Sequence, residues 1–222
     1  MFKLLDKAVD SGNADHIELS FYTNITNMQD RWLKQLAKFE KVIVNCSLEG
    51  MGDMNDYLRP PSKWNSVWQK FDKLVKFANT KEGKSIKVRV TTVNQMTNAL
   101  HIVPFWRFMH NYQMESDRGI GMSTNQLIEP HYYSMQYAPK WLKDMQSEQI
   151  LRFLESIGNS PHFIDYEEPL MEIVNFNKDN NHEYNPQIMK QYVEVTEKYD
   201  KHRGHDILKV SPEFAKIKEE LN

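Results

Sequence analysis

"VIVNCSLEGMGDMNDYLRPPSKW", Val42 to Trp64, opens as a strand and closes at the start of a helix. Residues 41–47 (KVIVNCS) form a nearly continuous apolar run, the pattern of a strand buried on both faces. From its far end, Trp64, Val67, Trp68, Phe71, Leu74, Val75 and Ala78 recur at i, i+3, i+4 and i+7, which predicts an amphipathic helix with Ser62 at its N-cap. Between the two lie Ser47, Glu49, two glycines, the Asp56–Tyr57 pair and Arg59. A strand that leaves through a polar loop into an amphipathic helix is the repeating unit of parallel α/β folds.

The same unit recurs on either side. HIELSFYT (16–23) alternates Ile17, Leu19 and Phe21, and SIKVRVTTV (85–93) alternates Ile86, Val88 and Val90. Helical patterns run over Phe2–Val9, over 29–39, and over much of Asn98–Tyr112, where Pro104 predicts a break or kink. The order predicts an α/β chain of parallel βα units with right-handed crossovers. After about Tyr112 the text becomes loop-rich, with one short strand expected around Gln126–Glu129. Helices are then expected over Pro139–Ile157, Glu167–Phe176 and Pro186–Asp200, with a last one opening at Ser211-Pro212-Glu213-Phe214. Two parts are expected, residues 1–112 and a mostly helical 113–222, and NFNKDNNHEYN (175–185) reads as a mobile polar loop.

Composition bounds the function. The 222 residues suit one domain with at most a small appendage, and 40% apolar content supports a sizeable core. Lysine plus arginine (28) nearly balances aspartate plus glutamate (30), so no charge footprint for nucleic acid or a membrane surface exists. No apolar run approaches the ~18 residues of a membrane span, and the N-terminus lacks the layout of a signal peptide, so the expected setting is the cytoplasm. A single cysteine, Cys46, excludes an internal disulfide and any multi-cysteine metal or cluster site within the chain.

All three predicted strands end in polar residues: Thr23 and Asn24, then Ser47 and Glu49, then Thr92, Asn94 and Gln95. Ligands collect at the carboxyl ends of parallel strands, where backbone groups are free and loops vary without disturbing the core. The bland alternative for each residue is a turn or helix cap. Arg59 is held out of a continuing helix by Pro60-Pro61 and could grip a carboxylate with both arms of its guanidinium, or pair with Glu49, Asp53 or Asp56.

In this order, Thr23-Asn24, Ser47-x-Glu49-Gly50, Asp56-Tyr57-x-Arg59-Pro60 with Trp64, and a third strand ending in Thr-Val resemble the second half of a radical S-adenosylmethionine (SAM) enzyme of the branch with a twitch-type extension. The tail YDKHRGHDILKVSPEF resembles that branch's Asp-x-x-Arg-Gly…Pro-Glu ending. The resemblance implies an incomplete TIM-like barrel followed by a largely helical twitch-like extension. It implies that Ser47 and Arg59 meet the amino-carboxylate of SAM, that Thr23 and Asn24 face the cluster side, and that Thr92, Asn94 and Gln95 lie near the ribose or adenine. Glu49 stands where the family has aspartate, which keeps the charge on a longer stem.

Such enzymes hold a [4Fe–4S] cluster through Cys-x-x-x-Cys-x-x-Cys, because the cluster's ligands are thiolates. That motif is absent here, as is the Gly-Gly-Glu-Pro segment that contacts the SAM amino group. The expectation is therefore a C-terminal piece whose partner is the N-terminal half, upstream in the same frame or a separate chain. The joined enzyme would cleave SAM reductively and abstract hydrogen from a substrate, a peptide being one candidate. The rival reading is a non-catalytic module that keeps a nucleotide or SAM site or pairs through the open edge of its first strand.

Other signals are weaker. His202, His205 and Asp206 match no standard ligand spacing and read as a basic helix end. His101 and His110 flank an apolar run and read as core or rim histidines. GIGMSTN lacks a phosphate-loop lysine. The aromatic stretch EPHYYSMQYAPKW (129–141) reads as packing for the extension rather than a stacking platform.

Overall fold

The computed structural model describes residues 2–116, 119–180 and 183–221. Strands β1 (Glu18–Thr23), β2 (Lys41–Ser47), β3 (Ile86–Asn94) and β4 (Gly121–Gln126) form one sheet in the order β1-β2-β3-β4. Every pairing is parallel. Helices α1 (Phe2–Asp10), α2 (Asp30–Leu36), α3 (Asp53–Leu58), α4 (Trp64–Ala78) and α5 (Ile102–Ser116) are joined by α6 (Lys140–Ser156), α7 (Phe163–Asp179), α8 (Pro186–Arg203) and α9 (Phe214–Glu219).

The sheet has one covered face. Val42, Val44 and Cys46 on β2 sit in register with Ile86, Val88 and Val90 on β3, and all six are buried. They join Leu33 and Leu36 of α2, Phe71 and Leu74 of α4, Trp106 and Met109 of α5, and Tyr166 of α7 in one apolar cluster. Fully burying such a side chain contributes about 1.5–3 kcal/mol, so this face carries much of the fold's stability. Alternate residues point the other way. Glu18, Ser20, Tyr22, Lys87, Arg89 and Asn125 on that side are exposed. Thus β2 is not buried on both faces as its apolar run suggested. Ile43 is only half-buried, and Asn45 and Ser47 continue its row.

The fourth strand lies several residues earlier than expected. GMSTNQ has no apolar alternation; the ladder to β3 holds it, and Thr124 Oγ1 donates to Pro169 O of α7 at 3.0 Å. Pro104 causes no break, because it sits in the first turn of α5 where its missing N–H has no intrahelical partner to lose. Ser62 is not the cap of α4. Its hydroxyl donates to Arg59 O at 2.6 Å, while Asp56 Oδ1 accepts the N–H of Trp64 from eight residues away. The helix α3 was unanticipated.

The change of character near Tyr112 is not a break in the core. Ile120, Met122, Ile150, Phe153 and Leu170 all belong to the first cluster. A second cluster gathers Met96, Ala99, Met135 and Leu142 with Met189 and Tyr192 of α8, then Ile207, Phe214 and Ile217. Here Tyr133 meets Tyr192 edge-on and Tyr192 meets Phe214, so the aromatic stretch packs the C-terminal helices. Of the polar segment 175–185, the first part is helical as the end of α7, and positions 181 and 182 lie outside the described residues, as do 117 and 118 of the earlier loop.

Candidate functional site

Because the strands are parallel, all four exits open on one rim. At the exit of β1, Thr23 Oγ1 accepts the N–H of Ile25, and Asn24 Oδ1 accepts both the N–H and the hydroxyl of Thr26. These bonds hold Ile25 at φ 60°, a left-handed conformation costly for a β-branched residue, with its side chain fully buried. Lys70 of α4 reaches back to this turn, its ammonium donating to Thr26 O at 2.7 Å and to Ser66 Oγ at 3.1 Å.

At the exit of β2, Ser47 is half-buried on the open face and Glu49 is buried. Arg59 ends α3 with its N–H still donating to Asn55 O at 2.9 Å. Its Nε and Nη2 donate to the two oxygens of Glu49. Glu49 O in turn accepts from Asn98 Nδ2 at 2.9 Å, so the loop is clamped from beneath. The pairing answers why this exit is so rich in charge: a carboxylate that deep in the protein needs a fork-shaped cation to remain there.

Asn24 and Arg59 meet at one cavity of about 380 Å³, whose other walls are Thr26, Pro60, Pro61, Ser62, Lys63, Ser66, Val67 and Lys70. No carboxylate lines it. The hydroxyls of Ser62 and Thr26 are spent on Arg59 O and Asn24 Oδ1. What remains to meet a guest is chiefly donors: the Asn24 amide, the arm of Arg59 that Glu49 does not take, the Lys70 ammonium beyond its bonds to Thr26 and Ser66, and the Lys63 ammonium, which stands 4.0 Å from the Asp56 carboxylate. Such a wall suits an anionic group, a carboxylate or a phosphate.

The third exit is different. Thr92 and Asn94 share the parity of Val88 and Val90, and both are fully buried on the covered face. Trp106 Nε1 donates to Thr92 Oγ1 at 3.3 Å. Asn94 sits in a chain of buried amides: it donates to Gln126 Oε1 and accepts from Gln146 Nε2, both at 2.8 Å, and Asn177 Nδ2 donates to Gln146 Oε1 at 2.9 Å. Gln95 caps the short helical turn Met96–His101 in a reciprocal arrangement with Asn98. These groups tie the rim to α6 and α7 rather than facing the cavity.

Reading parity to the end of each strand exposes a set that the exits alone missed. Asn45 Nδ2 donates to Ser20 Oγ and Phe21 O, both at 3.3 Å, and Thr91 Oγ1 bonds Ser123 Oγ at 2.9 Å. Lys41 pairs with Glu18 at 2.9 Å lower on the same face. The guanidinium arm of Arg89 lies over Gly121. A polar stripe thus runs over all four strands up to the rim.

Cys46 points into the covered core, and burial pushes its thiol well above the usual range. Among the described residues no group of three His, Cys, Asp or Glu side chains stands close enough to hold a metal ion. No described helix is long and apolar enough to cross a membrane. No protein-family model, curated protein or solved structure matches this chain.

Proposed function

We propose that this chain is the C-terminal part of a radical SAM enzyme: a portion of a TIM-like barrel whose rim holds the amino-carboxylate of SAM, followed by a twitch-like helical extension. The carrying observation is an all-parallel sheet with one bare, polar face. Parallel sheets ordinarily have both faces covered. A face that leaves Ser20, Tyr22, Lys87, Arg89 and Asn125 exposed and Ser47 and Ser123 half-buried suits the inward face of a barrel that further strands complete. β1, at the sheet's edge, is where such strands would add. The resemblance puts Ser47 and Arg59 at the anionic end of SAM; the rim cavity is lined by Arg59 together with Asn24, which the resemblance puts on the cluster side, and Ser47 is not among its lining residues.

Within that reading, Arg59 meets the ligand carboxylate with the arm that Glu49 leaves free, and Asn24 and Lys70 supply further donors. Ser47 faces the barrel side of the same rim. The iron–sulfur cluster is another matter. The one cysteine is buried on the opposite face of β2, so the residues present do not fit a cluster, and no step of cluster chemistry is assigned to them. Its ligands would come from the partner half.

Calorimetric titration of SAM into the chain tests the reading. Arg59→Lys keeps the charge opposite Glu49 but loses the fork, and is expected to weaken binding about tenfold, the scale of one charge-assisted hydrogen bond. Equal affinity in the variant would reject the carboxylate role. Anaerobic incubation with iron and sulfide separates the two halves' duties. The chain alone is expected to stay colourless, and a stable brown [4Fe–4S] spectrum would overturn the assignment of the ligands to a partner. A chain that binds SAM yet never gains activity with any N-terminal half would favour the rival reading, a SAM- or nucleotide-binding module.

A further inference from the structure

We infer that Arg89, seated across Gly121, is an anion-binding residue of the bare face, placed to hold a carboxylate or phosphate group of a small molecule lying there. The register sets the side chains of this face in rows. Tyr22, Asn45, Arg89 and Gly121 share one row, and Ser47, Thr91 and Ser123 share the next row towards the rim. The neutral groups are already engaged: Asn45 Nδ2 donates to Ser20 Oγ and Phe21 O, and Thr91 Oγ1 bonds Ser123 Oγ. Charge is not balanced. Glu18 is the one acidic strand residue on this face, and it is paired with Lys41 at 2.9 Å. Lys87 and Arg89 are both exposed, and among the described residues neither is paired with a carboxylate. Two cations without a free acid make the face the complement of an anion.

Gly121 sets Arg89 apart from Lys87. A Cβ at that position would stand 3.3 Å from Arg89 Nε and 3.5 Å from its Cγ. The missing side chain leaves the arginine arm a seat across β4. A long side chain lying on a neighbouring strand has less freedom to lose when it grips a ligand. Its planar fork matches the two oxygens of a carboxylate or phosphate, whereas the Lys87 ammonium adds charge without direction. Ser47 ends β2 one row above, so a small molecule anchored at Arg89 extends along Thr91 and Ser123 to the rim. In the proposed enzyme that molecule is the substrate, whose class is thereby one that carries an anionic group. Further strands closing the barrel would take the guanidinium out of water, where a charge without its counterpart is strongly disfavoured. That enclosure rests on the barrel reading; the anion preference of the open face does not.

NMR of the full chain, titrated with inorganic phosphate and separately with sodium chloride at equal ionic strength, tests the inference. The Arg89 Nε–Hε signal and the amides of Gly121 and Ser123 are expected to shift saturably with phosphate and not with chloride. Arg89→Gln should abolish the saturable amide shifts. Gly121→Ala keeps every charge but fills the seat, and is expected to weaken phosphate at Arg89 about tenfold, the scale of one charge-assisted hydrogen bond. Arg59→Lys alters the rim cavity and should leave the Arg89 response as it is. Shifts that follow ionic strength alone, or that arise only around Arg59 and Lys70, would overturn the inference and leave Arg89 to an acidic side chain of the further strands. An undiminished response in Gly121→Ala would overturn it as well. Phosphate held at Arg89 by a chain that binds no SAM defeats the SAM reading alone; SAM bound by a chain whose Arg89 ignores phosphate defeats this inference alone.

Discussion

Removing the Arg59 side chain should cost far more than removing that of Glu49, although the two groups bond each other. The Glu49 side chain is 4% exposed and that of Arg59 28%. Arg59→Ala strands a carboxylate in a place that water barely reaches. Breaking a buried pair in this way costs about 3–5 kcal/mol. Glu49→Ala instead leaves a guanidinium that can turn toward the cavity and solvent, so about 1–2 kcal/mol is expected, the cost of the lost charge-assisted bonds. The double variant Glu49→Ala/Arg59→Ala should recover most of the larger loss, because neither charge is then buried alone. Equilibrium urea unfolding of the three variants reads these differences, and in thermal unfolding, at about 2–4 °C per kcal/mol, the Arg59→Ala Tm should fall by roughly 10 °C. Equal losses in the two single variants, or a double variant as unstable as the sum, would refute the pairing as the reason the arginine stands there.

Three further outcomes follow from the same packing. Asp56→Ala removes the cap on the first amide of α4 and is expected to destabilise by about 1 kcal/mol, measured by urea midpoint; Ser62→Ala, the cap expected from sequence, should cost less. Lys143 is buried, its ammonium donating to Gln136 O and Asn180 O, and burial lowers its pKa from 10.5 to about 8. The unfolded chain then binds more protons than the native one between those values, so this group makes stability rise as pH climbs from about 8 to 10.5, a slope that Lys143→Met should abolish in denaturant titrations. Cys46 should resist an aromatic disulfide reagent in the native protein and react fully in urea; rapid native labelling would show that β2 opens locally.

The fold was legible wherever apolar residues kept a clean period. β1, β2, β3 and α4 come straight from the spacing of residues such as Phe21, Val44, Val88 and Phe71, because burial on one side selects them. β4 was displaced in the reading since Met122 is its one apolar residue, and only its neighbours make it a strand. The bare face was hidden by Ile43 and Asn45. Ile43 is half-buried and makes β2 read as apolar throughout, while Asn45 is buried through bonds that no pattern announces. At the rim, Asn24 and Arg59 line one cavity, and Glu49 holds Arg59 beside it. Thr92 and Asn94 do not reach it, and parity explains why: two and four residues beyond Val90, they follow it into the core. Lys63 and Lys70 escaped notice because one immediately precedes α4 and the other lies on it, away from any strand exit.

The sheet's two faces should also record mutation differently. Along β3, Val88, Val90 and Thr92 have no room to vary, whereas Lys87 and Arg89 face solvent in this chain. A saturation library selected only for folding of the isolated chain should therefore print a striped tolerance map, intolerant and permissive positions alternating one by one. Selection for a function that needs the bare face covered would fill in the pale stripes. The contrast between the two maps measures how much of the sheet's meaning lies outside its own fold.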